Sequence, residues 1–343
     1  MKAVVLRNAG PEPILEVIER PEPILKSGQV LVRVGATALC HHDISIMDGT
    51  IRRGVPENIV LGHEIAGTIV DKGSDVTNVS LGEQVVTSLT SSCGQCEMCL
   101  DGSEYRCIYG HGFGHKLDGG FTEFIAVDAR NVLPVSSDIP LVQASLLGCP
   151  IGVTVKALYD LAEIKCGQTI VVFGAGGGLG VHALQVAASA GANVISFTSS
   201  PHKLGELEAL DIGQVFLSEE GIDPSELVHA FTEDRGADIV FNPVGSALLH
   251  SSVSSVGLFG KILILGEVER ANTSINVTEF MFRDASLIGS TGADIANIRK
   301  AIELVDSGSV KPIIGSILGF EDLLEAYTLV KTRQTIGRVV LRP

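Results

Sequence analysis

From Cys166 to His202 the chain carries no Asp, Glu, Lys or Arg, and within that stretch it reads Val171-Val172-Phe173-Gly174-Ala175-Gly176-Gly177-Gly178-Leu179-Gly180. A charge-free run of this length could cross a bilayer on charge alone, but its glycines argue otherwise. They stand between a β-branched run, Thr169 to Phe173, and a helical one, Val181 to Ala190, and a second apolar run follows at Asn193 to Phe197. Strand, tight turn, helix and strand make a βαβ unit, whose parallel strands are covered on both faces and so exclude charge without any lipid. In such a unit the glycines let the backbone approach a pyrophosphate seated on the helix N-terminus. Gly174, Gly176, Gly177, Gly178, Leu179 and Gly180 are therefore expected to hold a dinucleotide; the alternative is a Gly-rich turn that only packs strand on helix.

Where the second strand ends, NAD-binding proteins place an acidic residue on the ribose 2′-hydroxyl. Here the chain continues Phe197-Thr198-Ser199-Ser200-Pro201-His202-Lys203, with no carboxylate. Small hydroxyls at Thr198, Ser199 and Ser200 together with Lys203 suit a 2′-phosphate, so NADP(H) is the preferred cofactor. NAD(H) is the alternative, with these residues a solvated turn.

A chain of 343 residues has room for two domains. Up to about residue 150, short strand candidates such as Gln29 to Val34 and Glu83 to Ser88 are punctuated by Gly and Pro, which reads as a β-rich, barrel-like domain. From about 151 to 290 the strand candidates Thr169 to Phe173, Asn193 to Phe197, Ile239 to Phe241, Lys261 to Leu265 and Ser286 to Ser290 alternate with helices. That alternation signals a parallel sheet and an α/β fold. A helix is expected from Asp294 to Ser307 and a closing strand from Gly337 to Leu341. Lys and Arg number 25 against 40 Asp and Glu, a net charge of −15, which argues against nucleic acid as a partner. Met1 to Ala9 reads as a strand and not as a signal peptide, so no membrane association and a cytoplasmic location are expected.

Seven cysteines are an odd count, and Cys93, Cys96, Cys99 and Cys107 fall in the spacing C-x2-C-x2-C-x7-C. Such clustering suits metal ligation in a reducing compartment better than disulfides. Four thiolates can close a tetrahedron around Zn²⁺ and leave no open position. An iron–sulfur cluster is the competing occupant, although the spacing matches neither common ferredoxin run. Cys40 in Leu39-Cys40-His41-His42-Asp43, His63 in Gly62-His63-Glu64, and Cys149 in Gly148-Cys149-Pro150 are further candidates. Two thiolates, an imidazole and a water make an open, catalytic zinc site. Spacing alone does not join these three, and each taken singly reads as an ordinary buried side chain.

These motifs together resemble a zinc-dependent medium-chain dehydrogenase/reductase of the alcohol dehydrogenase type, over essentially the whole chain. The resemblance implies a GroES-like catalytic domain from residues 1–150 and 292–343 and a Rossmann domain from 151–291. It implies two zinc ions per chain, one catalytic on Cys40, His63 and Cys149 and one structural on Cys93, Cys96, Cys99 and Cys107. Glu64 matches a glutamate that can approach or transiently ligate the catalytic zinc, and Asp43 the carboxylate that orients the ligand histidine. Thr154, Val244, Gly245 and Arg338 resemble cofactor contacts. A homodimer or homotetramer is implied, through the sheet edge between Lys261 and Ser290. One departure stands out: alcohol dehydrogenases carry Ser or Thr, as a proton relay, where this chain has His42. Imidazole can move a proton near neutral pH, and Ser45 is an alternative relay. His111 and His115, flanking Gly112-Phe113-Gly114, read as loop residues near a substrate mouth.

The leading expectation is a zinc-dependent, NAD(P)-linked oxidoreductase that moves hydride between nicotinamide and an alcohol, aldehyde or ketone. His42 and the segments Gly174 to Gly180 and Lys261 to Glu267 also resemble archaeal acryloyl-CoA reductases. NADPH-dependent reduction of an enoyl-CoA is therefore the alternative, with Arg52-Arg53 the only adjacent basic pair in the first domain. A non-catalytic NADP-binding protein is a third reading, disfavoured because nothing structural requires an open zinc site.

Overall fold

The strand Thr169–Val172 leads through the glycine turn into the helix Gly180–Ser189, and the strand Asn193–Thr198 pairs parallel with the first, Thr169 opposite Asn193. This computed structural model describes residues 1–219, 221–269 and 271–343. The βαβ unit is the centre of a six-stranded sheet ordered Gln214–Leu217, Asn193–Thr198, Thr169–Val172, Ala237–Asn242, Val256–Ile264 and Ser286–Gly289, all parallel. Counted along the chain, the order is 3-2-1-4-5-6, that of a doubly wound dinucleotide-binding sheet. Its core of Val171, Phe173, Ile195, Phe197, Val240 and Ile262 is fully covered, which is why the segment carries no charge. The third strand, Gln214–Leu217, escapes sequence reading because it lies at the sheet edge, half-buried, with neither strict alternation nor a continuous apolar run.

Contacts divide the chain into two units, the first comprising Met1–Gly152, Gly292–Asp306 and Pro312–Pro343, the second Val153–Thr291 and Ser307–Lys311. The first unit is built on the eleven-residue strand Gln29–Leu39. Glu64–Lys72 pairs antiparallel with it from Val30↔Lys72 to Ala38↔Glu64, and Arg338–Arg342 pairs on its other side with Val339 opposite Leu39. Those two registers bring Glu64 and Arg338 to the end of the strand that Cys40 follows. The expected final helix and strand are present as Ile295–Asp306 and Arg338–Arg342.

One apolar helical segment, Leu141–Leu161, is long enough to cross a membrane by length and composition, but 89% of its apolar window is buried within the protein. Pro150 inside it has no N–H to offer the Leu146 carbonyl four residues back. Ile151 donates to Leu146 instead, at 3.2 Å, and the result is the π turn Leu147–Ile151 that carries Cys149.

Phe121 is fully buried in the core cluster of the first unit, among Leu39, Met47 and Leu61. Phe121→Ala is expected to cost about 3–5 kcal/mol by leaving a cavity there, read as a lower urea midpoint. An unchanged midpoint would show that this core does not support the site strands.

Candidate zinc and cofactor sites

Cys40 caps the helix His41–Met47 in extended conformation, and Asp43, in the first turn of that helix, accepts from the Cys40 N–H at 2.9 Å. The same carboxylate accepts from Gly62 N–H at 3.2 Å and lies 3.4 Å from His63 Nδ1. Asp43 is fully buried, so one charge ties the Cys40 turn to the Gly62-His63 turn and fixes the imidazole that follows. With Nδ1 directed at Asp43, Nε2 is the ring nitrogen left to act as a ligand.

One donor atom from each of Cys40, His63, Glu64 and Cys149 lies within 4.8 Å of the others. An ion with bonds of about 2.0–2.3 Å can gather two thiolates and one imidazole at such spacing, and the donor chemistry fits zinc. The resemblance puts Arg338 at the cofactor; in the structure its guanidinium is buried against Glu64. Nη2 stands 2.8 Å from Glu64 Oε1, and Nε donates to Oε2 at 3.1 Å. Nη2 also donates to the sulfurs of Cys40 at 3.6 Å and Cys149 at 3.8 Å. The cause is strand register: with Val339 opposite Leu39, Arg338 falls beside Cys40.

These buried groups perturb one another. The Cys149 thiol bonds the Cys40 sulfur and, with Arg338 and His63, holds Cys40 well below the ordinary thiol range against the effect of burial, while Cys149 is pushed up. The pair thus favours one thiolate, on Cys40. Burial pushes the Glu64 carboxyl up to about 7, with Arg338 opposing. Burial also works against charge on His63, but Asp43 and Cys40 outweigh it and raise the ring well above its usual value.

The second donor set is local. Sulfurs of Cys96 and Cys99 are 3.5 Å apart, those of Cys96 and Cys107 3.8 Å, and those of Cys93 and Cys99 4.0 Å. A tetrahedron of four zinc–sulfur bonds of about 2.3 Å has edges of about 3.8 Å, whereas a disulfide would need about 2.05 Å. All seven cysteines are free. Backbone N–H groups stabilise the thiolates: that of Ile108 brings Cys96 down to about 6, and that of Gln95 lowers Cys93, whereas burial pushes Cys99 up to about 12. Cys166, unassigned by sequence, is exposed and belongs to neither set.

In the second unit Gly177 N–H closes the turn onto Gly174 O at 2.9 Å, with Gly178 and Leu179 leading into the helix. A Cβ on Gly180 would stand 2.2 Å from Gly174 O, so this helix and strand meet as closely as backbone allows. A Cβ on Gly174 would stand 3.1 Å from Cγ2 of Val244, which follows the neighbouring strand Ala237–Asn242. Gly174 and Val244 therefore flank the point where strand order reverses, outside the carboxyl ends of strands 1 and 4, the place such folds bind dinucleotides. Asn242 Oδ1 accepts from the N–H groups of Val244 and Gly245 at 2.9 and 2.8 Å. The Lys203 side chain lies over Gly176 and is buried; Thr198 and Ser200 are buried, Ser199 is exposed, and Thr198 Oγ1 accepts from Ser200 N–H. Thr154 is buried in the helix Gly152–Val155.

Sequence reading missed two histidine roles. His182 Nδ1 contacts Gly178 O at 2.6 Å, clamping the glycine turn to the helix one turn below. His42 Nε2 lies 3.1 Å from Nδ1 of His115, which the sequence places in a loop without a partner. Burial lowers the pKa of His42, and His63 lowers it further. Ser45 is half-buried three residues further along the same helix.

Residues 26–137 match the alcohol dehydrogenase GroES-like domain and residues 178–307 the zinc-binding dehydrogenase domain. An acryloyl-coenzyme A reductase of Metallosphaera sedula is 30% identical over 346 residues, 99% of each chain. An NAD-dependent alcohol dehydrogenase of Sulfurisphaera tokodaii is 28% identical over 358 residues, covering both chains fully. A solved NAD-dependent alcohol dehydrogenase is similar in structure over the full length of both chains, with a TM-score of 0.95 at 28% identity. The chain belongs to the zinc-dependent medium-chain dehydrogenase/reductases, and it is an oxidoreductase with GroES-like and Rossmann domains.

Elemental analysis is expected to find about two zinc ions per chain, about one after Cys96→Ser and about one after Cys40→Ser. A full complement in either variant would remove that donor set from the assignment.

Proposed function

We propose that this enzyme interconverts an alcohol with its aldehyde or ketone, using NADP(H) in preference to NAD(H). The observation that carries the proposal is the open donor set. Cys40, His63 and Cys149 would supply three zinc ligands, and the pairing of the fourth donor in reach, Glu64, with Arg338 supports leaving the remaining position to a substrate oxygen. Zinc held there would supply a Lewis acid for that oxygen, and a bound nicotinamide would supply or accept the hydride.

The chain's own residues do the rest. Asp43 keeps His63 in the ligating tautomer, and Arg338 compensates the negative charge that Glu64 and two thiolates place in a buried site. His42, in the position where alcohol dehydrogenases carry a hydroxyl, moves the substrate's proton, with Ser45 the alternative group on the same helix. Gly174 to Gly180 hold the pyrophosphate at the N-terminus of Gly180–Ser189, with Thr154, Val244 and Gly245 as further cofactor contacts. The absence of a carboxylate after Thr198, together with Lys203 over Gly176, supports a 2′-phosphate there. The edge strand Ser286–Gly289, with Leu287 exposed, supports a homodimer or homotetramer formed by edge pairing.

Enoyl-CoA reduction is the second reading, favoured by a full-length relative that is an acryloyl-coenzyme A reductase and by the exposed pair Arg52 and Arg53. Steady-state assays pairing NADPH or NADH with aldehydes, ketones and acryloyl-CoA decide between them. Carbonyl reduction is expected to fall by at least about a hundredfold in Cys40→Ser. Acryloyl-CoA reduction that survives this substitution, with no carbonyl activity in the parent enzyme, would sink the zinc-alcohol reading. Lys203→Ala is expected to raise the KM for NADPH about tenfold and leave that for NADH within about twofold. Equal shifts for both cofactors would reject the 2′-phosphate contact.

A further inference from the structure

We propose that His115 is a positioning residue for His42, holding the His42 ring in one orientation and one tautomer, with its proton on Nε2 and its lone pair on Nδ1. The consequence for catalysis rests on the role given to His42 above; the tautomer follows from the contacts that a neutral His115 makes. His115 Nε2 lies 3.1 Å from the carbonyl oxygen of Arg53. A carbonyl only accepts, so that nitrogen carries the proton, and a neutral imidazole has just one. His115 Nδ1 is then an acceptor, and the His42 Nε2 that stands 3.1 Å away must donate to it. The two rings are stacked, with centroids 5.2 Å apart and planes 27° from parallel, and His63 packs edge-on against the other side of His42 at 5.6 Å.

The turn that carries His115 is built to stay in place. N–H groups of His115, Lys116 and Leu117 converge on Gly112 O at 3.3, 3.1 and 3.2 Å, and Gly114 N–H donates to Leu117 O at 2.8 Å. Gly114 has a φ of +65°, and a Cβ there would stand 2.7 Å from the backbone nitrogen of Gly62, the residue before His63. Phe113 anchors the turn in the core with Val34 and Ile65. His115 is thus registered to the same segment that carries a candidate zinc ligand. The need for it is chemical. A hydroxyl rotates to present either its proton or its lone pair, but an imidazole has two fixed nitrogens, and which one bears the proton must be set by a partner.

The test uses the zinc-loaded, full-length enzyme labelled with ¹⁵N-histidine, with the His42 signals assigned through His42→Gln. Long-range ¹H–¹⁵N correlation is expected to show His42 as the Nε2–H tautomer. In His115→Leu that signature is expected to collapse to a mixture, with kcat down about tenfold and KM within about twofold of the parent. His115→Gln carries an acceptor and a donor on one side chain and is expected to restore both the tautomer and most of kcat. Unchanged His42 nitrogens in His115→Leu, or a Gln variant no better than Leu, overturns the proposal. Should the Leu variant not fold, the Gln variant decides alone: retention of the Nε2–H tautomer supports the proposal and its loss overturns it. The spectroscopic arm needs no substrate, so it reads the same if the enzyme turns out to act on something other than an alcohol or carbonyl.

Discussion

The carboxylate of Asp43 is the constraint on which the catalytic centre depends. It is fully buried, and what makes a buried charge tolerable is that it accepts from the Cys40 and Gly62 N–H groups and faces His63 Nδ1. In accepting from both turns it fixes the distance between two candidate ligands that are 23 positions apart in the chain. Removing such a carboxylate would do more than free an imidazole, because two turns would lose their common anchor.

A second buried charge problem is solved beside it. Glu64 is fully buried, and burial pushes its carboxyl up to about 7 even against the pull of Arg338. The guanidinium answers with a two-point contact to the carboxylate and weaker donations to two sulfurs. Breaking a pair of this kind typically costs about 3–5 kcal/mol, because the survivor is left charged and unpaired. In the four-cysteine lobe, backbone N–H groups favour the thiolates of Cys93 and Cys96, whereas burial and the neighbouring sulfurs push Cys99 up.

The chain is similar both to alcohol dehydrogenases and to an acryloyl-coenzyme A reductase, and the proposed function turns on which of these substrates the surroundings of the candidate zinc site admit. His42 and His115 stand there together. An imidazole pair in place of a single hydroxyl is bulkier and has fixed donor and acceptor sides, which is what the proposed proton path through His42 would have to use.

The sequence by itself determined whatever depends on near neighbours. The βαβ unit was legible because strand, turn and helix each follow from local residue types, and the cysteine lobe because its four sulfurs come from 15 consecutive residues. The missing carboxylate after Thr198 was legible for the same reason. What joined Cys40, His63 and Cys149 in the sequence was family likeness and not spacing, because no short-range rule connects a helix cap, a strand entry and a π turn. Only the tertiary structure brought Arg338 to Glu64 across 274 positions and His115 to His42 across 73. Both contacts follow from strand register and from a glycine turn seated on Gly62, and register is decided by the packing of whole strands, which no local run of residues encodes.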